Sequence, residues 1–326
     1  MVITVQSGTL SVDLYAVGAA VHRVRVLDQL GTWNDVHLHL STPDERLDRS
    51  RNPHLGSTVG RYANRIAGAR FPLDGRVVQV DPNEGPNQLH GGPDGFDRRA
   101  WDVLDSSPAS VTFGLTSPAG DQGYPGTLQA RATYEVSGDQ LTITYTAITD
   151  APTVVNLCHH SYWNLDLGAA SGGGGPLTPL ITDQVLTVTA ALVLPVDAAG
   201  LPLRGLIPVA GSPFDLREPA VLGPVVASIP GGLDHSYAVD GTPGTPRFAA
   251  RLESPRSGRW LTVETDQPAL HVYSGNHLRA PFTPQQAVSL ETQRFPDTPN
   301  RPDLGSARLN PGETYASTTR LRFGCN

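Results

Sequence analysis

Four short segments of this chain concentrate polar, aromatic and glycine residues more densely than a plain hydrophobic core requires. They are Gly60-Arg61-Tyr62-Ala63-Asn64-Arg65-Ile66, Asn87-Gln88-Leu89-His90-Gly91-Gly92-Pro93-Asp94-Gly95-Phe96-Asp97, Asn156-Leu157-Cys158-His159-His160-Ser161-Tyr162-Trp163-Asn164-Leu165 and Leu290-Glu291-Thr292-Gln293-Arg294-Phe295-Pro296-Asp297. Gly231-Gly232-Leu233-Asp234-His235-Ser236 is a weaker fifth, and His271 opens His271-Val272-Tyr273-Ser274-Gly275-Asn276. Between them these stretches offer carboxylates, imidazoles and a guanidinium. A carboxylate and an imidazole suffice for general base and general acid catalysis, worth ~10²–10⁴-fold each, without metal or nucleotide.

Other chemistries are weaker on the same residues. Side chains alternate along an extended strand, so His159 and His160 face opposite sides and cannot both enter one site, whereas Cys158 shares the face of His160. A Cys–His nucleophile would need an orienting partner and an oxyanion-hole motif, and neither accompanies Cys158. His37-x-His39 on one strand face, with Glu45 downstream, hints at a cupin-like metal site, but the spacing is loose and a solvated face is the simpler expectation. The run Gly172-Gly173-Gly174-Gly175 lacks a following Lys-Ser/Thr pair or helical pattern and is expected to be a surface loop, not a phosphate cradle. All 24 basic residues are arginine. The absence of lysine removes Schiff-base and pyridoxal-phosphate chemistry.

The elements that must position these groups are strands. Of 326 residues 39% are hydrophobic, enough for a sizeable core, while 34 Gly and 29 Pro punctuate the chain at short intervals. Leu128, Ala130, Ala132, Tyr134 and Val136 alternate with polar residues, and after Ser137-Gly138-Asp139 so do Leu141, Ile143, Tyr145 and Ala147, which predicts an antiparallel hairpin with one buried face. Similar stretches recur at Val2 to Val12, Val21 to Leu27, Val36 to Leu40, Arg76 to Val80, Val185 to Val193 and Trp260 to Glu264. No stretch keeps a helical period for ten residues, and no linker or internal repeat divides the chain. A single all-β domain over 1–326 is expected, a large antiparallel β-sandwich or broad barrel-like assembly.

A formal charge of −7 leaves no basic stripe for nucleic acid or an anionic membrane surface. The two cysteines are expected as reduced thiols. With no leader-like N-terminus and no apolar run of membrane-spanning length, a soluble cytoplasmic protein is the default expectation.

Taken together, the glycine-arginine-x-x-asparagine-arginine-isoleucine, leucine-histidine-glycine-glycine, asparagine-leucine-x-x-histidine-serine-tyrosine and leucine-glutamate-threonine-glutamine patterns resemble the aldose 1-epimerases, or galactose mutarotases, in order and spacing from about Gly56 to Arg320. The resemblance implies the galactose mutarotase-like β-supersandwich and cofactor-free, metal-free interconversion of the α and β anomers of free sugars. It implies Glu291 as the base and His160 as the acid, with Asn64, Arg65, His90, Asp234 and His271 binding a small-molecule sugar, in a monomer or homodimer. At His271 some relatives carry glutamine, and at His159 asparagine is frequent. Arg61 is expected to be structural. Tyr62, Phe96 and Trp163 are candidates both for stacking on a sugar and for the core. Two other functions remain: a non-catalytic carbohydrate-binding protein, which would not need both Glu291 and His160, and a hexose-phosphate epimerase of the same fold, which would need an arginine cluster.

Overall fold

A computed structural model describes residues 2–42, 44–48, 50–168 and 179–326, so the expected Gly172 to Gly175 loop lies outside the described residues. Two large antiparallel sheets face each other. One has ten strands in the order Val2–Ser7, Leu10–Tyr15, Ala20–Leu27, Trp33–His37, Tyr162–Gly168, Val288–Gln293, Ala269–Tyr273, Asp234–Ala238, Leu192–Val193 and Ile207–Pro208. The other has nine, from Asp102–Ser106 through Ser110–Ser117, Leu128–Ser137, Gln140–Thr149, Tyr315–Cys325, Arg259–Thr265, Arg247–Glu253 and Val185–Val188 to Ala220–Val221. Among the described residues the one α-helix is Leu222–Ser228. Of the sandwich and the broad barrel-like assembly that alternation leaves open, the large antiparallel β-sandwich, which the resemblance also implies, is the architecture found.

The hairpin at the centre of the nine-stranded sheet shows why. Leu128, Ala130, Ala132, Tyr134 and Val136 are buried while Gln129, Arg131 and Glu135 are exposed, and the register runs from Leu128 opposite Thr149 to Ser137 opposite Gln140. The inward residues meet Val12, Leu14 and Val24 of the other sheet in the main core. Across so wide an interface the hydrophobic effect, ~25 cal/mol per Å² of apolar surface, is the main force holding the layers together.

Three expected strands differ in detail. Val2 to Val12 is a hairpin turning at Gly8-Thr9, with Gly8 at φ 54° and Ser7 paired to Leu10. The strand expected at Val36 to Leu40 is Trp33–His37, because beyond His37 the chain leaves the sheet. Val185 to Val193 is not one strand. Val185–Val188 pairs with Arg247–Glu253 in one sheet and Leu192–Val193 with Asp234–Ala238 in the other, so Thr189 to Ala191 forms a corner between the layers.

Candidate active site

Period-two alternation places a polar row on the face of the ten-stranded sheet that looks away from the core. In Val288–Gln293, Val288 and Leu290 enter the core, so Ser289 and Glu291 face outward; in Ala269–Tyr273, Leu270 and Val272 point inward and His271 and Tyr273 outward. Register then fixes the neighbours. His271 lies directly opposite Glu291 on one side and Ser236 on the other, and Asp234 lies opposite Tyr273.

Small two-stranded pairs carry the remaining groups over this face. Cys158–His160 pairs with Ser57–Val59, placing His160 opposite Ser57. His159 points the other way, edge-on to Tyr134 and hydrogen-bonded to Ser161, which is the opposition expected of adjacent strand residues. Arg65–Ile66 pairs with Gln88–Leu89, and His90 is strapped to Asn64 twice: its N–H donates to the Asn64 carbonyl at 3.0 Å and its Nδ1 accepts the Asn64 N–H at 3.2 Å. Asn64, His90 and His54 all have positive φ, 65°, 51° and 63°. Such left-handed backbone is unusual for non-glycine residues and concentrates at functional sites.

All seven residues singled out in the sequence line one cavity of about 200 Å³. That is below the roughly 300–1,000 Å³ of drug-sized ligand sites and suits one small polar molecule. Pro53, His54, Glu84, Leu89, Tyr162, Tyr273 and His277 complete the wall, and an outer hollow of about 700 Å³ shares Arg65, Glu84, Asp234 and His277 with it. A larger cavity of about 850 Å³ at the other end of the Glu291 strand is lined by Asp266, Arg294, Arg308, Glu313 and Tyr315 and has no histidine among its described lining to pair with a carboxylate.

At the floor, His160 Nε2 lies 3.5 Å from Glu291 Oε1. Burial pushes the Glu291 carboxyl up to about 7, with the nearby His271 working against the rise. Burial, assisted by the neighbouring His54, holds His160 well below the usual imidazole range. Arg65 is clamped by Glu84 through Nε at 2.7 Å and Nη2 at 2.8 Å, leaving Nη1 without a carboxylate. His271 Nε2 is 2.7 Å from Asp234 Oδ1 and its Nδ1 is 2.9 Å from Ser236 Oγ. Burial opposes charge on both partners, yet their mutual attraction prevails: Asp234 is drawn down to about 2 and His271 raised.

His54, Tyr162, Tyr273 and Glu84 escaped the sequence reading. Tyr162 and Tyr273 each lie two residues after a selected histidine, a strand-period signal that could have found them. His54 had none: it sits in a loop, Nδ1 2.9 Å from Asp97 Oδ2, with its ring against His90 and His160 at 4.8 and 5.7 Å. Conversely, Tyr62, Phe96 and Trp163 are core residues. Tyr62 donates to the Phe295 carbonyl, Phe96 packs on Trp101 and Trp163 on Phe323. Arg61 is buried and donates to the carbonyls of Pro125, Gly126 and Ser117, tying loops together.

Two rival sites do not assemble. Cys158 Sγ lies 3.9 Å from Glu291 Oε2, and burial beside that carboxylate pushes the thiol well up, the reverse of an activated nucleophile. Glu45 is engaged by the Ser41 and Thr42 amides and by Arg51, while His37 is bonded to the His22 carbonyl, so no His37/His39/Glu45 cluster forms. His90, His160 and Glu291 do bring potential ligand atoms within 4.8 Å of one another. They fit a metal poorly. Because His90 Nδ1 accepts the Asn64 N–H, the neutral ring carries its proton on Nε2 and has no lone pair left to offer there.

With this geometry in place, comparison with known proteins is decisive. The aldose 1-epimerase family model matches residues 1–322. The chain belongs to the aldose 1-epimerase family. It is 37% identical to galactose mutarotase of Bos taurus over 98% of this chain and 92% of that one, and 36% identical to aldose 1-epimerase of Escherichia coli K12 over 94% and 90%. Among solved structures, a C. elegans aldose epimerase homologue superposes with a TM-score of 0.90 at 28% identity, covering 100% of this chain and 99% of that one. A galactose 1-epimerase from Lactobacillus acidophilus gives 0.84 at 29% identity over 99% and 93%.

Proposed function

We propose that this aldose 1-epimerase family member interconverts the α and β anomers of free aldohexoses such as glucose and galactose. The observation that carries the reading is the Glu291–His160 pair, a carboxylate and an imidazole 3.5 Å apart at the base of a cavity the size of one sugar ring. Anomer exchange requires a proton to leave the C1 hydroxyl while another reaches the ring oxygen. With the proton that the pair shares placed on the imidazole, Glu291 as carboxylate takes the first and His160 as imidazolium delivers the second; the C1–ring-oxygen bond breaks, an open-chain aldehyde forms, and the shared proton is left on Glu291 with His160 neutral. Rotation about C1–C2 exposes the other carbonyl face, and closure with both proton transfers reversed returns the opposite anomer and the original enzyme. No electron or group is left over, so no co-reactant is needed.

Binding falls to Arg65, Asn64, His90 and Asp234. The proton on His90 Nε2 makes that ring a hydroxyl donor, the free Nη1 of Arg65 a second, and the Asp234 oxygen not bound to His271 an acceptor. His271 lines the same wall with both nitrogens engaged by the protein. Arg65, bound to Glu84, is the one arginine in the described lining, which gives a phosphate ester little to hold. Arg98 donates to the Pro93 and Leu47 carbonyls instead, and Arg294 lies in the larger cavity.

Proton NMR tests the reading. In an equilibrated glucose solution, inversion of the α anomeric signal should transfer to the β signal faster in proportion to added protein. Transfer at the buffer rate would contradict it.

A further inference from the structure

On the reading that Glu291 removes the anomeric proton, it must be ionised in the working site, although it is almost fully buried, at 1% exposure. Burial of a lone carboxylate disfavours its charge. Something in the site must supply the balance. We infer that His271 is a positioning residue which, as an imidazolium held between Asp234 and Ser236, presents a fixed positive charge to Glu291 and keeps the base ionised.

Three geometric facts carry this. Both ring nitrogens of His271 have partners on the neighbouring strand, Asp234 Oδ1 at 2.7 Å and Ser236 Oγ at 2.9 Å, so a doubly protonated ring satisfies every N–H it has. With both nitrogens taken, the ring has none free for a sugar hydroxyl. Finally, the three residues stand in order across the sheet. His271 is directly opposite Glu291 in the register, whereas Asp234 is one strand further away and opposite Tyr273, so the positive end of the His271–Asp234 pair is the end nearer Glu291. Opposed strand residues have Cβ atoms ~4.5–5.5 Å apart, within the range at which an opposite charge favours ionisation.

The surrounding groups agree. The titratable and charged groups facing His271 are Asp234 and His235 on one flanking strand, Glu291 on the other, and across the cavity Arg65, His90 and His160; Tyr273 shares its strand. Burial holds His90, His160 and His235 below the usual imidazole range, whereas at His271 the attraction of Asp234 and Glu291 overcomes the same burial and raises it. A glutamine at this position would keep a hydrogen bond to Asp234 and lose the cation.

The test is the pH profile of kcat/KM for glucose anomer exchange in the parent and in His271→Gln. The acidic limb, set by protonation of the base, should move up by about one pH unit or more in the variant, because Glu291 would lose the largest of the charges that favour its ionisation, that of His54 being smaller, while Asp234 stays beside it. Activity lost at pH 7 should then return above pH 8. Ser236→Ala, which removes one partner of the ring and is the smaller change should His271→Gln fail to fold, should move the limb in the same direction by less. An unshifted acidic limb in either folded variant, or a rate lowered equally at every pH as for a lost sugar contact, would overturn the inference. A parent protein that does not exchange anomers at all would instead remove the activity from which the inference starts.

Discussion

At the scale of single residues, the site works by pairing groups whose environments oppose their ordinary charge states. Burial pushes Glu291 up to about 7, toward the range in which a carboxylate is an effective base, and holds His160 below the usual imidazole range, so that a proton placed on it is readily given up, as the proposed exchange requires. Glu291→Gln and His160→Asn should therefore each lower kcat at least ~100-fold with the fold retained, since each removes one transfer partner. Circular dichroism and steady-state rates check this; near-parental rates in either folded variant would show that the residue moves no proton. The pair was legible in the sequence through the histidine-serine-tyrosine and leucine-glutamate-threonine-glutamine resemblance, with strand alternation adding that His159 and His160 cannot share a face. What alternation could not reveal was the third dimension: that His271 would spend both nitrogens on the next strand, and that Trp163 would point into the sandwich instead of the cavity.

At the scale of elements, the active face depends on loops fastened against the sheet at very short range. Gly91, directly after His90, has φ 86°, and a Cβ there would lie 1.9 Å from the Gly60 carbonyl oxygen. Gly91→Ala should cost at least ~2 kcal/mol of stability, from strain and overlap together, and should lower activity by displacing His90. Gly75, in the hairpin turn between Arg70–Leu73 and Arg76–Gln79, is a matched control. It also has positive φ, 73°, but a Cβ would meet nothing within 4 Å, so Gly75→Ala should cost only about 1 kcal/mol and leave activity alone. Urea titrations of the two variants compare the effects, and equal losses would mean that the close approach at Gly91 is not what holds the loop. The glycines of the leucine-histidine-glycine-glycine motif were visible in the sequence, but the carbonyl they make room for was not. The same limit explains the corner at Thr189 to Ala191: hydrophobic patterning reports which residues are buried, not which of two facing sheets buries them.

At the scale of the whole molecule, an unusual number of histidines whose charged form is disfavoured by burial is locked inside the fold. Burial holds His37, His90 and His160 well below the ordinary imidazole value, and brings His22 and His159 down to about 3 and His235 to about 4. Below pH ~6.5 the unfolded chain binds protons at these positions that the folded chain refuses, so each disfavours folding by about 1.4 kcal/mol per further pH unit. Glu291 and Asp297, whose buried carboxyls are raised, and His271, raised by its partners, act in the opposite sense but number three against six. The urea midpoint should accordingly fall steadily from pH 7 to pH 5. A midpoint flat over that interval would mean that these imidazoles gain partners on protonation. Across the same molecule, strand periodicity and punctuation give the all-β class, and the choice of a sandwich over a barrel-like assembly comes with the family resemblance. The placement of the site on the face away from the core becomes clear only once Val288, Leu290, Leu270 and Val272 are seen to fill the other side.

The central claim, anomer exchange at the Glu291–His160 pair, is tested most directly by polarimetry on freshly dissolved α-D-glucose and α-D-galactose. With catalytic amounts of the protein, optical rotation should reach its equilibrium value faster than in buffer, with the final value unchanged and the acceleration abolished in Glu291→Gln. A rotation that relaxes at the buffer rate for both sugars would contradict the account.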